Sequence, residues 1–277
     1  MFVLASIPVA IMTLGPTSVS AQDEAVPPNA TVFGVNVLVG ALTAATRAAL
    51  EHRDVSRAFT TGAVGGAVHF TGKYVASRRG TLSGWAGLVV AATGSSIVAN
   101  AGGGAPALSE LYVPVGSLRL RIGLPQFRLR VGVNLFESTM IAHAAGRAGV
   151  STDWGRSLET GTLVVRTVHR EIVDGGETVE GVTAGPAIYL GPRAQIGKET
   201  WKHETVHVHQ NWFMAETWDR PLELAVRRRI PLARRIPPWI EIGLIAPGIS
   251  ALNEQWWGDR AGVRNLMERE AQSLERK

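Results

Sequence analysis

Trp201-Lys202-His203-Glu204-Thr205-Val206-His207-Val208-His209-Gln210 is the stretch on which the reading of this chain turns. It contains H-E-x-x-H, and on a helix two residues four apart lie one turn above each other on the same face. His203 and His207 can then reach one metal ion, and zinc is the ion such a pair most often holds. Glu204 stands beside that face without joining it, placed to polarise a metal-bound water rather than to bind the metal. The surroundings favour a helix. No proline occurs between Gln195 and Trp218, and Gly197 is the one weak helix former there. Just upstream, Gly185 to Pro192 is a short apolar run closed by turn residues, which predicts a strand leading into the helix. The fold expected is α+β, with an Ala/Gly-rich helical N-terminal part, a central antiparallel sheet and a C-terminal helical part carrying the metal site.

Neighbouring residues sort by helical geometry. Gln210 is three residues beyond His207 and is placed to orient that ring from outside the metal. His209 lies about 160° around the helix from His207 and is expected to face away. Downstream, Arg220-Pro221 and Ile230-Pro231 punctuate a basic segment, and Pro237-Pro238 opens an apolar stretch from Trp239 to Leu252. That stretch is shorter than the roughly 20 residues a bilayer span needs and suits a buried or interfacial helix. The chain ends in a carboxylate-rich helix able to supply a third ligand.

Upstream the period changes. From Leu111 to Arg121 and from Gln126 to Phe136, apolar and basic residues alternate, as in Leu118-Arg119-Leu120-Arg121. A period of two predicts half-exposed strands with an arginine-lined face, joined by a Gly-Leu-Pro turn. Further strands are expected at Thr162 to Val168 and Thr178 to Thr183. Gly102-Gly103-Gly104-Ala105-Pro106 is a boundary signal, dividing a helical region (22–104) from a metal-binding region (105–277). Before it, Phe33 to Leu50, Arg57 to Ala76 and Trp85 to Ala101 are rich in Ala, Gly and Val, a composition found in membrane helices and in tightly packed soluble hairpins. Asn36, Arg47, His69 and Lys73 count against membrane spans, since an interior charge costs about 2.5 to 3.5 kcal/mol there. His52, His69, His143 and His169 lack ligand spacing and are expected to be structural. Residues 1–21 form an apolar segment with a small-residue cleavage site after Ala21, which predicts a signal peptide and export to the periplasm or cell envelope.

Composition narrows the chemistry. Among 277 residues there is no cysteine, which removes disulfides and thiolate sites and leaves histidine and carboxylate as the strong zinc ligands. The net charge of +5, with runs such as Arg227-Arg228-Arg229, favours an anionic membrane surface or acidic partners. No nucleic-acid-binding motif accompanies the arginines, so nucleic acid is not expected as a partner.

The stretch resembles the zincin metallopeptidases, and His207-Val208-His209-Gln210 makes it similar to the H-E-x-x-H-V-x-Q form of many uncharacterised exported bacterial proteins. The resemblance implies zinc held by His203 and His207, with Glu204 as general base. Gln210 and Phe213 stand where the metzincin branch needs Gly and His, so the third ligand is expected to be a glutamate, as in gluzincins. Met267-Glu268-Arg269-Glu270-Ala271-Gln272 resembles the E-x-E-A-D segment of the membrane-associated zinc proteases of the heat-shock and prenyl-protein type, with Gln272 in place of the Asp. On that mapping Glu268 is the ligand and Glu270 lies on the neighbouring face. Asn253-Glu254 is the competitor, by likeness to the Asn-Glu pair of thermolysin-like enzymes. In zincins the strand before the active helix holds substrate, which makes Tyr189 an oxyanion candidate. The implied function is an exported zinc-dependent peptidase acting on a peptide or protein substrate. The alternative is a non-catalytic envelope protein that binds zinc or keeps a remnant of the site.

Overall fold

The computed structural model describes residues 29–78, 80–124, 126–145, 150–167, 172–174, 177–192, 194, 200–243 and 266–275. The expected signal peptide, Glu254, His169 and the apolar residues 244–252 lie outside these, as does the side chain of His143. The fold is α+β.

Three long helices open it: α1 (Asn29–Leu50), α2 (Val55–Ala76) and α3 (Thr81–Gly102). Asp54 starts α2 by accepting the Arg57 amide at 3.0 Å, the ordinary N-cap contact. Small residues let these helices touch backbone to backbone. A Cβ on Gly66 would stand 2.2 Å from the Asn36 carbonyl oxygen, and one on Gly72 would stand 2.1 Å from the Ala91 nitrogen. Both positions therefore require glycine. By length and composition α1 and α3 could cross a membrane, and 61% of the apolar window of α3 is buried within the protein itself.

β1 (Glu110–Val115), β2 (Leu118–Gly123) and β3 (Arg128–Asn134) form an antiparallel meander, extended by the parallel strand β10 (Ile240–Glu241). The run from 111 to 121 is therefore a hairpin rather than one strand. Gly116 makes the turn at φ +57°, a left-handed conformation that favours glycine. Pro114 is tolerated because β1 is an edge strand. The arginine face expected to be half-exposed points inward along β2, while Arg128 and Arg130 of β3 stay exposed. Arg119 is fully buried and ion-paired with Glu137 of α4 (Leu135–Ala145), and Arg121 pairs with Glu241. Tyr112 donates its hydroxyl to the same Glu241 at 2.9 Å. Alternation reveals that a strand has two faces, but the partners brought in by α4 and β10 decide which face is buried.

The second sheet has the order β4-β5-β9-β8, from β4 (Val150–Thr152), β5 (Leu163–Thr167), β8 (Gly181–Ala184) and β9 (Ala187–Leu190). β5 and β9 run parallel and the outer pairs antiparallel. Helix α5 (Trp154–Thr160) joins β4 to β5, and β6 (Ile172–Asp174) with β7 (Glu177–Val179) makes a separate hairpin. Val164, Ile188 and Leu190 of this sheet pack against Trp201, Val208 and Trp212 of helix α6 (Thr200–Met214), so the sheet is the platform on which the H-E-x-x-H helix rests.

Helix α6 does not stop at the expected break. It runs through a π turn (Ala215–Asp219) into α7 (Arg220–Arg229). Pro221 lacks the N–H that an unbroken α-ladder would send four residues back, and at this point the Arg220 amide bonds the Ala215 carbonyl, five residues back. Proline sits in the first turn of α7, where its missing donor is not needed. The last helix, α8 (Leu266–Glu275), packs beside α6. Val32 and Phe70 of the N-terminal helices share one apolar cluster with Val206 of α6 and with Ala271 and Leu274 of α8. The Ala/Gly-rich helices thus share a core with α6 and α8.

Candidate metal centre

His203 and His207 project from one face of α6, as their spacing requires, and Glu268 from the first turn of α8 meets them. The two Nε2 atoms are 3.1 Å apart. Glu268 places Oε1 2.9 Å from His203 Nε2 and Oε2 3.1 Å from His207 Nε2. These three side chains can hold a metal ion. Ligands about 2.0 to 2.1 Å from a tetrahedral ion are separated by about 3.3 Å, so the observed spacings are close to those of a site ready to close on one.

The hydrogen bonds around His207 strengthen the fit. Gln210 Nε2 faces two acceptors, the Met267 carbonyl at 3.1 Å and Glu270 Oε2 at 2.7 Å. That fixes the amide, leaving Oε1 toward His207 Nδ1 at 2.8 Å. An acceptor there demands a proton on Nδ1, so the neutral ring presents a bare Nε2 to Glu268 and His203. The bare Nε2 of His207 and the Glu268 carboxylate then converge with the His203 ring, an arrangement that favours a cation between them. Burial disfavours a charge on His207, but the hydrogen bond to Glu268 and the nearby charge of Glu204 outweigh it and raise the ring's pKa. Burial likewise opposes ionisation of Glu268, yet its bonds to His203 and His207 hold the carboxyl far below the usual carboxylate range.

Glu204 is buried beside the ligands and takes no part in the triad. Thr183 of β8 donates its hydroxyl to Glu204 Oε2 at 2.7 Å and approaches the Glu204 carbonyl at 2.9 Å, so the sheet fixes the carboxylate's orientation. Glu270 is not a ligand in this arrangement. Besides accepting from Gln210, its carboxylate meets Lys73 Nζ at 2.5 Å and Asn36 Nδ2 at 2.7 Å. Lys73 also donates to Asn36 Oδ1 at 2.7 Å. A continuous chain therefore runs from Lys73 and Asn36 through Glu270 and Gln210 to His207. Gln272 approaches Glu268 Oε1 at 3.4 Å, standing where the resembled segment carries Asp.

The remaining histidines fall elsewhere. His209 is buried on the opposite side of α6, its ring edge-on to Trp212. Burial, with Lys73 nearby, pushes its pKa down to about 3. His69 is a core residue in contact with Phe213, and His52 is exposed in the α1–α2 turn. Tyr189 lies half-buried in β9, between Val165 and Val182 of the flanking strands. Sequence reasoning missed Thr183, Asn36 and Lys73. For the last two a signal existed: a lone lysine and a lone asparagine inside Ala/Gly-rich helices need a buried partner. For Thr183 there was none, since its contact depends on how β8 lies against α6.

No protein-family model matches the chain, and neither a characterised protein nor a solved structure is significantly similar to it.

Proposed function

We propose that the chain is an exported zinc-dependent hydrolase, a peptidase of zincin type in which His203, His207 and Glu268 hold the metal. The observation that carries this reading is the convergence of three ligand atoms with a buried glutamate at their side, one ligand having its tautomer set by Gln210. Zinc, when bound, supplies Lewis-acid chemistry, acidifying water and polarising a carbonyl. Glu204 accepts a proton from the attacking water and passes it to the leaving amine. Thr183 keeps the Glu204 carboxylate in one orientation, and Gln210 keeps His207 from turning away from its partners. The choice of zinc rests on the donor set: two imidazoles and one carboxylate, in a chain without cysteine.

The test is elemental analysis of the purified chain together with hydrolysis of a mixed peptide library. The expected result is one zinc per chain, lost in His203→Ala and Glu268→Ala, and retained in Glu204→Gln with hydrolysis reduced at least about a hundredfold. Zinc bound with no hydrolysis of any peptide would favour the non-catalytic envelope protein. A native chain that takes up no zinc even on incubation with it refutes the hydrolase and leaves the non-catalytic envelope protein.

A further inference from the structure

The first sheet is built inside out. Directly opposed residues share a face, and the register sets Leu118 opposite Val133, Leu120 opposite Val131 and Ile122 opposite Leu129. Arg119 and Arg121, on the alternate positions, point inward to their glutamates, so the apolar face looks outward. Leu118, Leu129 and Val131 are 44%, 59% and 51% exposed. β10 widens this face, because Glu241 reaches the buried arginines and the preceding Ile240, paired with Val133, must point the other way. Beside Ile240 an open groove of about 630 Å³ continues the patch, lined by Leu135, Ile230, Leu232, Ile236 and Ile242 among others. Leu232 is 72% exposed, Trp239 53%, and Phe127 at the β2–β3 turn 75%. Scattered exposed apolar residues are ordinary, whereas a connected patch of this extent marks an interaction site.

Charge identifies the partner. The segment 222–240, which lines the groove, carries five arginines and a single carboxylate, Glu223, and Glu223 is itself paired with Arg227 at 2.5 Å. Arg228, Arg229 and Arg235 are exposed. A second copy docked on the same patch would set these arginines against their own images.

We propose that this face docks on an anionic lipid bilayer, with the apolar side chains entering the headgroup boundary and the arginines meeting lipid phosphates and acidic headgroups. The inference is independent of the metal site. Each arginine near such a surface contributes about fivefold in affinity.

The test is co-sedimentation of the full chain with vesicles of phosphatidylcholine alone or with a quarter phosphatidylglycerol, at low and high salt. The native chain is expected to bind the anionic vesicles, at least about tenfold more weakly at high salt or on the neutral ones. Arg228→Gln/Arg229→Gln is expected to lose roughly 25-fold. Leu232→Asp, or Leu129→Asp if the first is poorly folded by circular dichroism, is expected to abolish binding. Because residues 1–21 are common to every variant, adhesion through them would leave all variants bound like the native chain, and that result overturns the proposal. So does a native chain that ignores anionic vesicles, equal binding to both lipids, or a dimer that Leu232→Asp splits.

Discussion

Lowering the pH should loosen the joint between the N-terminal helices and α6, and His69 is the group that measures it. The ring is 3% exposed, with Nδ1 3.0 Å from the Ala91 carbonyl and 3.1 Å from Ser95 Oγ. Its Nε2 is buried without a hydrogen-bond partner among the described residues. Burial first, and the Lys73 cation second, hold its pKa well below the ordinary 6.5. His209 and Glu216 face the same small cavity from α6 and the π turn. For a base whose folded pKa is depressed, little is lost well above pH 6.5, where both states are mostly unprotonated. As pH falls through 6.5 the unfolded chain alone takes up the proton, and stability drains until the folded pKa is reached. Between pH 7 and pH 5 the unfolded ring goes from about a quarter protonated to nearly full, a loss of about 2 kcal/mol. Urea unfolding with chelator present, at about pH 7 and pH 5, on the native chain and His69→Leu, isolates it. The native chain should lose about 2 kcal/mol more than the variant over that interval. His209, held down by burial, adds a loss of the same sign to both chains, and Glu216, raised by burial, adds one of opposite sign to both. Equal losses in native and variant would mean that His69 is charged in the folded protein or reached by water, and the reasoning would fail.

Two further outcomes concern the centre itself. Lys73→Met removes the cation that fixes Glu270 and is expected to weaken zinc binding about 10- to 100-fold, as loss of an outer partner does. It should also cost stability on the order of 3 to 5 kcal/mol by leaving a buried carboxylate unpaired. Lys73→Met/Glu270→Gln, whose new amide still accepts from Gln210, should recover most of the zinc affinity in a competition titration. Recovery of stability without recovery of affinity would limit Lys73 to a structural part. Thr183→Val deletes the hydroxyl that orients Glu204, and a hydrogen bond to a charged group contributes about 1.5 to 3 kcal/mol. Peptide hydrolysis should then fall by about one to two orders of magnitude with zinc content unchanged. Unaltered hydrolysis would show that the carboxylate needs no such support.

The placement of the two candidate histidine ligands was legible because helical spacing alone decides it. His203 and His207 must share a face, Gln210 must lie within reach of His207, and His209 must point away, whatever the rest of the chain does. Glu268 required a likeness to a known segment, because nothing local ties residue 268 to residue 203. The sheet was legible in its period and not in its polarity. Leu118-Arg119-Leu120-Arg121 reads equally well with either set inside, and the buried arginines become tolerable only once Glu137 and Glu241 are known to meet them. Gly116 was a visible turn residue inside an apparently continuous strand, and its glycine was the clue to the hairpin.

The Ala/Gly-rich helices, ambiguous as sequence, acquire a reason in the structure. Asn36 on α1 and Lys73 on α2 must stand 2.7 Å apart and both reach Glu270. Short side chains hold the helix axes close enough for that. Gly66 touches the backbone at Asn36 itself, and Gly72, next to Lys73, lies against the backbone of α3. A bulkier residue at either point would separate the helices and draw the lysine or the asparagine away from the carboxylate. Glu270 would then be buried with too few donors, and Gln210 would lose the partner that fixes its amide. Small residues far from His203 and His207 in sequence thus bear on the candidate metal centre through geometry alone. The polar residues that argued against a membrane span in these helices are the same ones that tie them to His207.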